Sequence, residues 1–360
     1  MTARPSTTTW RDVLAIFPVR GAVPTTFPVR DAMPTTRGPR WIATAGLAFA
    51  LLVGFVTPAT AAEPGPPVPD AIAHEVAPGV FTLYGDINPP SPENRGFMAN
   101  SSFILTDAGV IVIDTGSSLR IGEMLLRQIR QKTDKPLLAV LNTHVHGDHW
   151  LGNQAMVADT PDVPIYGHQK MLELIEQGAG EQWLAIMMNA THGATAGTEL
   201  VPPTRTLDDG DELSIGGLTI KAHHYPKVHS TSDLMFEIPE RGVLFLADNA
   251  NNGRIVRMDD GSFRGSIEAL QDIKTRVSGA KVLIPGHGQV GGWEIVDAYL
   301  GYLSGLREVV AELYGEGLRD FEMKPQVSER LAAYRDWSVF DGELGKHISL
   351  VYLEVEEEAF

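Results

Sequence analysis

Residues 142–150 read Asn-Thr-His-Val-His-Gly-Asp-His-Trp. No other stretch restricts the fold as much. His144, His146, Asp148 and His149 put four potential metal ligands within six positions. Imidazole and carboxylate donors together suit zinc, iron or manganese rather than calcium. The apolar residues 135–141 before them read as a buried strand, and 150–158 after them as the start of a helix. The donors therefore sit on a strand-to-helix turn. His144 and His146 alternate on extended backbone and share a face. Gly147 lets the chain turn, so that Asp148 and His149 approach from another side. A single histidine is more often a solvent-facing or hydrogen-bonded residue than a ligand. Four donors at this density point to a metal site.

The rest of the chain supplies a frame for that turn. Strands are predicted in 74–84, around a Pro-Gly turn, and as a hairpin over 100–105 and 110–113. A helix follows at 118–133, then the strand 137–141. Further strands fall at 165–168, within 206–215, at 219–225, and as a hairpin over 233–238 and 242–246. Helices are predicted at 169–188 and 266–277, and a strand at 281–284. Three more helices, at 293–314, 327–337 and 344–357, end the chain. Strands followed by a helix thus occur twice, to about residue 160 and again to about 290. Two such halves, stacked sheet on sheet with helices outside, make an α/β fold of the αββα sandwich type. The expected division is a low-complexity leader and signal peptide (1–62), a flexible Pro-rich segment (63–72), a catalytic domain (73–292) and a helical C-terminal extension packed on it (293–360).

Composition narrows the function. The net charge of -16 argues against nucleic acid as a partner, and the absence of cysteine removes disulfides, thiolate ligands and a thiol nucleophile. Arg37 and Arg40, the uncharged apolar run 41–56 and then Ala59-Thr60-Ala61-Ala62 read as a signal peptide cleaved near Ala61 or Ala62. Its cleavage removes six arginines and two aspartates and takes the net charge to -20. The expected product is exported, periplasmic or secreted, with no stable membrane insertion. Residues 17–26 are almost repeated as 27–36, a low-complexity pattern that builds no core; translation from Met33 would give a signal peptide of ordinary length.

Three later residues extend the ligand list. His229 follows the strand 219–225, Asp248 closes the apolar run 243–247, and His287 stands in Pro285-Gly-His-Gly288. Taken in order with the first cluster, the set resembles the metallo-β-lactamase superfamily, over roughly residues 74–290. Ile113-Asp-Thr-Gly116 is similar to a recurring element of that family. Asn94-Arg-Gly96, Thr133-Asp-Lys-Pro136, residues 197–203 and the C-terminal helices resemble its periplasmic quinoprotein relay system, or SoxH-like, zinc metallohydrolase branch.

The resemblance implies an αββα sandwich and a binuclear zinc hydrolase. One metal would be held by His144, His146 and His229, the other by Asp148, His149 and His287, with Asp248 bridging. Two Zn2+ per chain are expected, with iron or manganese as other candidates. Two cations sharing a hydroxide make a nucleophile at neutral pH, and Asp148 would take the proton. The small-molecule substrate would be an ester, thioester, lactone or amide. Asp114 either orients a ligand imidazole or simply closes a strand. His224 is a second candidate for such support, with pocket lining or a plain strand position as the alternative. Arg95, Trp183, Arg254 and Arg257 are candidate substrate contacts or structural residues. Absence of the cysteine found in one β-lactamase subclass makes antibiotic cleavage a secondary expectation. A mononuclear iron persulfide dioxygenase, using two histidines and one aspartate, is the alternative from another reaction class. Oligomeric state has no signature in the sequence.

Overall fold

The computed structural model describes residues 63–359. The stretch expected to be a leader and signal peptide, with the alternative start at Met33, lies outside the described residues. Among the described residues no helix is long and apolar enough to cross a membrane.

The first sheet runs in chain order: β1 (Ala73–Ala77), β2 (Val80–Leu83), β3 (Ser101–Leu105), β4 (Val110–Ile113), β5 (Leu137–Leu141), β6 (Ile165–His168) and β7 (Arg205–Leu207). It is antiparallel as far as β4 and parallel from β4 to β7. Parallel neighbours need crossovers. These are α1 (Leu119–Arg130), then α2 (Gly147–Trp150) with α3 (Asn153–Asp159), then α4 (Gln169–Glu176) with α5 (Ala179–Ala190). The second sheet holds β8 (Glu212–Ile215), β9 (Leu218–His224), β10 (Leu234–Ile238), β11 (Val243–Ala247) and β12 (Val282–Pro285), in the order β12-β11-β10-β9-β8. Only β11 and β12 are parallel there, joined through α6 (Phe263–Arg276). Helices α7 (Glu294–Gly315), α8 (Asp320–Arg330) and α9 (Phe340–Glu358) follow.

Side-chain alternation assembles these layers. β4 is Val-Ile-Val-Ile and buried throughout, as a strand covered on both faces must be. Ile111 and Ile113 join Phe236, Phe245 and Ile284 in the core between the sheets. Val110 and Val112 face the other way, with Ile121, Met124, Leu125 and Ile129 of α1. β11 repeats the pattern: Val243 and Phe245 lie between the sheets, Leu244 and Leu246 outside. That outer face meets α6 and also Tyr302, Leu306, Leu344 and Ile348 of the C-terminal helices. The architecture is the αββα sandwich expected from the sequence, with α7–α9 sharing the outer core of the second half.

Two helices differ from expectation. The predicted helix 169–188 is broken, because Gly178 adopts φ 98°, a left-handed conformation open to glycine, and α5 starts anew behind it. The helix expected at 327–337 is displaced to α8, which carries Pro325 in its interior. Starting a helix after a proline is the usual rule, but here Glu322 caps the earlier start by accepting the Arg319 N–H at 2.9 Å.

Candidate metal centre

The first half brings its donors in on one turn. β4 and β5 are parallel neighbours, so their C-terminal ends lie side by side. Asp114 leaves β4 there and Thr143 leaves β5. Asp114 accepts the Thr143 N–H at 2.9 Å and the Thr143 hydroxyl at 2.8 Å. It also accepts from His149 Nδ1 at 2.7 Å. The Thr143 hydroxyl proton is committed to the carboxylate, so its oxygen receives the Nδ1–H of His144, 3.0 Å away. One carboxylate thereby fixes the tautomers of two imidazoles and leaves both Nε2 lone pairs free, as ligand histidines require. Trp150, fully buried, donates to the Val145 carbonyl at 2.8 Å and fastens the turn from behind. Gly147 has no left-handed φ; it is needed for room, since a Cβ there would stand 2.7 Å from Cβ of Trp183.

The second half delivers three donors from three strand ends. After β9, Asp233 accepts from the Ser230 backbone and hydroxyl at 2.6 and 2.7 Å and shapes the loop that carries His229. Ser232 accepts the Val145 N–H at 3.1 Å, joining that loop to the first half. Asp248 and His287 follow the parallel strands β11 and β12. His287 donates through Nδ1 to the Met98 carbonyl at 2.8 Å and points Nε2 inward. Asn251 ties the two together, accepting the His287 N–H at 2.7 Å and donating to the Asp248 carbonyl at 3.3 Å. A Cβ on Gly286 would strike Oδ1 of Asp248, so only glycine admits this approach.

The seven residues converge in overlapping groups: His144, His146 and His229; His144, His149 and Asp248; and Asp148, His149 and His287. Within each group the donor atoms lie within 4.8 Å of one another, and all seven residues are buried. His146 Nδ1 and His229 Nε2 are 2.8 Å apart. Asp148 Oδ2 is 3.3 Å from His287 Nε2 and 3.6 Å from His149 Nε2. Asp248 spans both sides: Oδ2 is 3.5 Å from His229 Nε2 and 3.4 Å from His287 Nε2, and Oδ1 is 3.5 Å from His149 Nε2. His144 Nε2, His149 Nε2 and Asp248 Oδ1 are buried without a hydrogen-bond partner among the described residues. Leaving such atoms unpaired costs about 1–3 kcal/mol each, a cost that bound cations would remove. The donor set therefore fits divalent metal.

Charge is distributed to match. Burial drives His144 well below the ordinary imidazole range and His229 down to about 4, with neighbouring imidazoles adding to the effect. Burial works against the charged form of Asp148 and Asp248 as well, but the adjoining His149 and His287 hold both carboxyls below their usual range. Backbone strain marks the same place. Asp114 and Ala247 adopt φ 53° and 48°, left-handed values that non-glycine residues rarely take and that cluster at functional sites.

The remaining candidates divide. Asp114 accepts from His149 and from Thr143, which in turn meets His144. His224 supports no ligand imidazole in this way: its ring stacks on His168 at 3.8 Å, and Nδ1 donates to the Asp233 carbonyl at 2.8 Å. It holds the His229 loop through the Asp233 backbone, with its ring against His168 and not against a candidate ligand. Arg95 turns to the Pro67 carbonyl. Trp183 lies against His146, with ring centroids 4.9 Å apart, and Arg257 stands 5.8 Å over the indole. Arg254 is buried, donates to the Ile87 and Asn88 carbonyls at 2.7 and 3.3 Å, and keeps Nε without a partner. Burial lowers its pKa, while Asp148 and Asp248 nearby raise it. Asp260, not among the candidates above, has its Oδ2 3.7 Å from His146 Nε2. Neither an exposed loop aspartate nor the Met98 carbonyl carries a sequence signal.

The sequence pattern of the metallo-beta-lactamase superfamily matches residues 94–287, from the Asp86–Arg95 loop to the last donor. A linear primary-alkylsulfatase of Pseudomonas sp. is 26% identical over 241 residues, covering 59% of this chain and 45% of that protein. A human acyl-coenzyme A thioesterase is 30% identical over 208 residues, 51% of this chain and 71% of that one. Among solved structures, a stereoselective inverting sec-alkylsulfatase from Pseudomonas sp. superposes with a TM-score of 0.61 at 21% identity, over 79% of this chain and 50% of that one. The chain thus spans about half the length of the alkylsulfatases it matches. With the family pattern running through every donor of the cluster, the chain belongs to the metallo-beta-lactamase superfamily.

Proposed function

We propose that the chain is a hydrolase working with two divalent cations, zinc first among them, on an ester or thioester that carries a negative charge near the scissile bond. The observation that supports this most is the Asp248 carboxylate, which reaches donors of the His144–His146–His229 group and of the Asp148–His149–His287 group alike. Nitrogen and carboxylate donors without sulfur suit zinc, manganese or iron. Bound cations would supply a water nucleophile at neutral pH and polarise the scissile group.

The protein's own part is positioning and proton handling. His144 and His149 are held in one tautomer through Asp114. Asp148, kept ionised by His149 and His287 despite its burial, is the group placed to take a proton from the attacking water and pass it to the leaving group. Arg254, a buried cation without a carboxylate partner among the described residues, favours an anionic group beside the cluster, and Trp183 with Arg257 forms a wall at His146. Sulfate esters meet that description, and acyl thioesters do where the acyl or thiol part bears a nearby anionic group; relatives named for each class are among the similar proteins. Lactones, amides and β-lactams are further carbonyl substrates for the same chemistry. Within the superfamily we assign the chain to the exported quinoprotein relay system, or SoxH-like, branch.

The test is a substrate panel run on protein of known metal content: an alkyl sulfate, an acyl thioester, a lactone, a β-lactam and a persulfide with oxygen uptake recorded. Hydrolysis of an anionic ester or thioester that vanishes on chelation and returns with zinc is expected. Oxygen uptake with one iron per chain would replace this reading with the dioxygenase.

A further inference from the structure

His347 is fully buried on α9, far along the chain from every donor of the metal centre. Its Nε2 lies 2.8 Å from the Val256 carbonyl and its Nδ1 lies 2.7 Å from the Tyr302 hydroxyl of α7. A carbonyl only accepts, so Nε2 carries the proton. The neutral ring then accepts the Tyr302 proton at Nδ1, and both nitrogens are satisfied.

Val256 stands in the middle of residues 249–262, the segment that leaves Asp248 and ends at α6. This segment runs around the metal centre. It carries Asn251 against His287, then Arg254, Arg257 over Trp183, and Asp260 beside His146. At its end, the Ser262 N–H bonds the Val228 carbonyl, next to His229, at 2.9 Å. Its hold on the C-terminal region is repeated. Ser338 donates its N–H to the Gly253 carbonyl at 2.8 Å and accepts from the Ile255 N–H at 3.3 Å. Glu354, also on α9, accepts from the Ser262 hydroxyl and the Phe263 N–H, each at 2.8 Å.

We propose that His347 is a positioning residue: from the C-terminal helices it clamps the Arg254–Asp260 arc against the metal centre and so sets the recognition of an anionic substrate. The clamp itself stands on geometry; its effect on substrate rests on the hydrolase reading above.

Hydrogen exchange of the full chain, wild type against His347→Ala and His347→Gln, tests the clamp without reference to activity. Glutamine is chosen because its amide N–H can occupy the place of Nε2–H. His347→Ala should speed exchange about tenfold in residues 253–260, the rough worth of one buried hydrogen bond, and leave 142–150 and the metal content unchanged. His347→Gln should restore most of the protection. For an anionic ester, His347→Ala should raise KM about tenfold and change kcat less than about twofold, as expected when substrate binding alone is lost. Unchanged exchange in His347→Ala, or no rescue by glutamine, would overturn the clamp. Local opening without a change in KM would overturn its role in recognition. Should His347→Ala lose structure throughout, Tyr302→Phe decides: faster exchange confined to 253–260 supports the clamp, and none overturns it. If no ester is cleaved by any variant, the hydrolase reading fails while exchange still judges the clamp.

Discussion

The two halves of the sandwich contribute to one centre in different ways. The first half gives four donors from a single turn, His144 to His149, braced by one carboxylate, Asp114. The second gives three donors from three separate strand ends, held by two braces: Asp233 for the loop of His229, and Asn251 for Asp248 and His287 together. Behind that half stands the C-terminal region, which reaches the Asp248–α6 segment through Ser338, His347 and Glu354. A compact turn depends on local sequence. A dispersed set depends on the sheet, and here on distant helices too.

The contrast is broken most severely at Asp248. Asp248→Ala removes the carboxylate shared by both groups and should strip metal from both and abolish turnover, whereas His287→Ala should empty chiefly the group of Asp148 and His149. Metal content by elemental mass spectrometry separates the two, and full occupancy in Asp248→Ala would refute the bridging role. A second large effect concerns acid. Burial pushes His347 down to about 4, against 6.5 for an ordinary histidine, even though the Val256 carbonyl favours its proton. Between these values the unfolded chain binds the proton and the folded chain does not, so stability rises with pH there. The contribution, on the order of 3 kcal/mol, is complete above about pH 6.5 and lost as pH falls towards 4. Urea unfolding of His347→Gln should lack this part of the slope.

Asp114→Asn probes the shared brace of the first half. It should weaken metal affinity about 10–100-fold. Because His144 stands with His146 and His229 while His149 stands with Asp148 and His287, the loss should appear in both binding steps of a titration; a loss confined to one would show that the relay through Thr143 is idle. The smallest effect is expected at Ser262, which caps α6 by accepting the Gly265 N–H at 3.1 Å. Ser262→Ala should cost about 1 kcal/mol in thermal or urea unfolding and leave metal content as it was.

The same contrast explains what could be read from the chain. The turn was legible because its four donors are contiguous and follow an apolar strand. Asp248 and His287 were legible because each terminates a short apolar run, and β11 and β12 are buried on both faces. The sandwich itself followed from two rounds of strands and helices. Other features were hidden. The break at Gly178 interrupts an apolar pattern that continues across it. His224 lies in the strand next to the His229 loop, and only the register of β9 shows that its ring faces His168. Asp260, the Met98 carbonyl and the His347 contact each act across long sequence separations, where no local pattern records them.

On the proposed function the two halves jointly hold two cations. The most direct test is the metal content of the purified chain, with occupancy followed as zinc is titrated into chelated protein. Two equivalents per chain, both lost in Asp248→Ala, are predicted. One equivalent of iron, or a second site that never fills, would contradict the account.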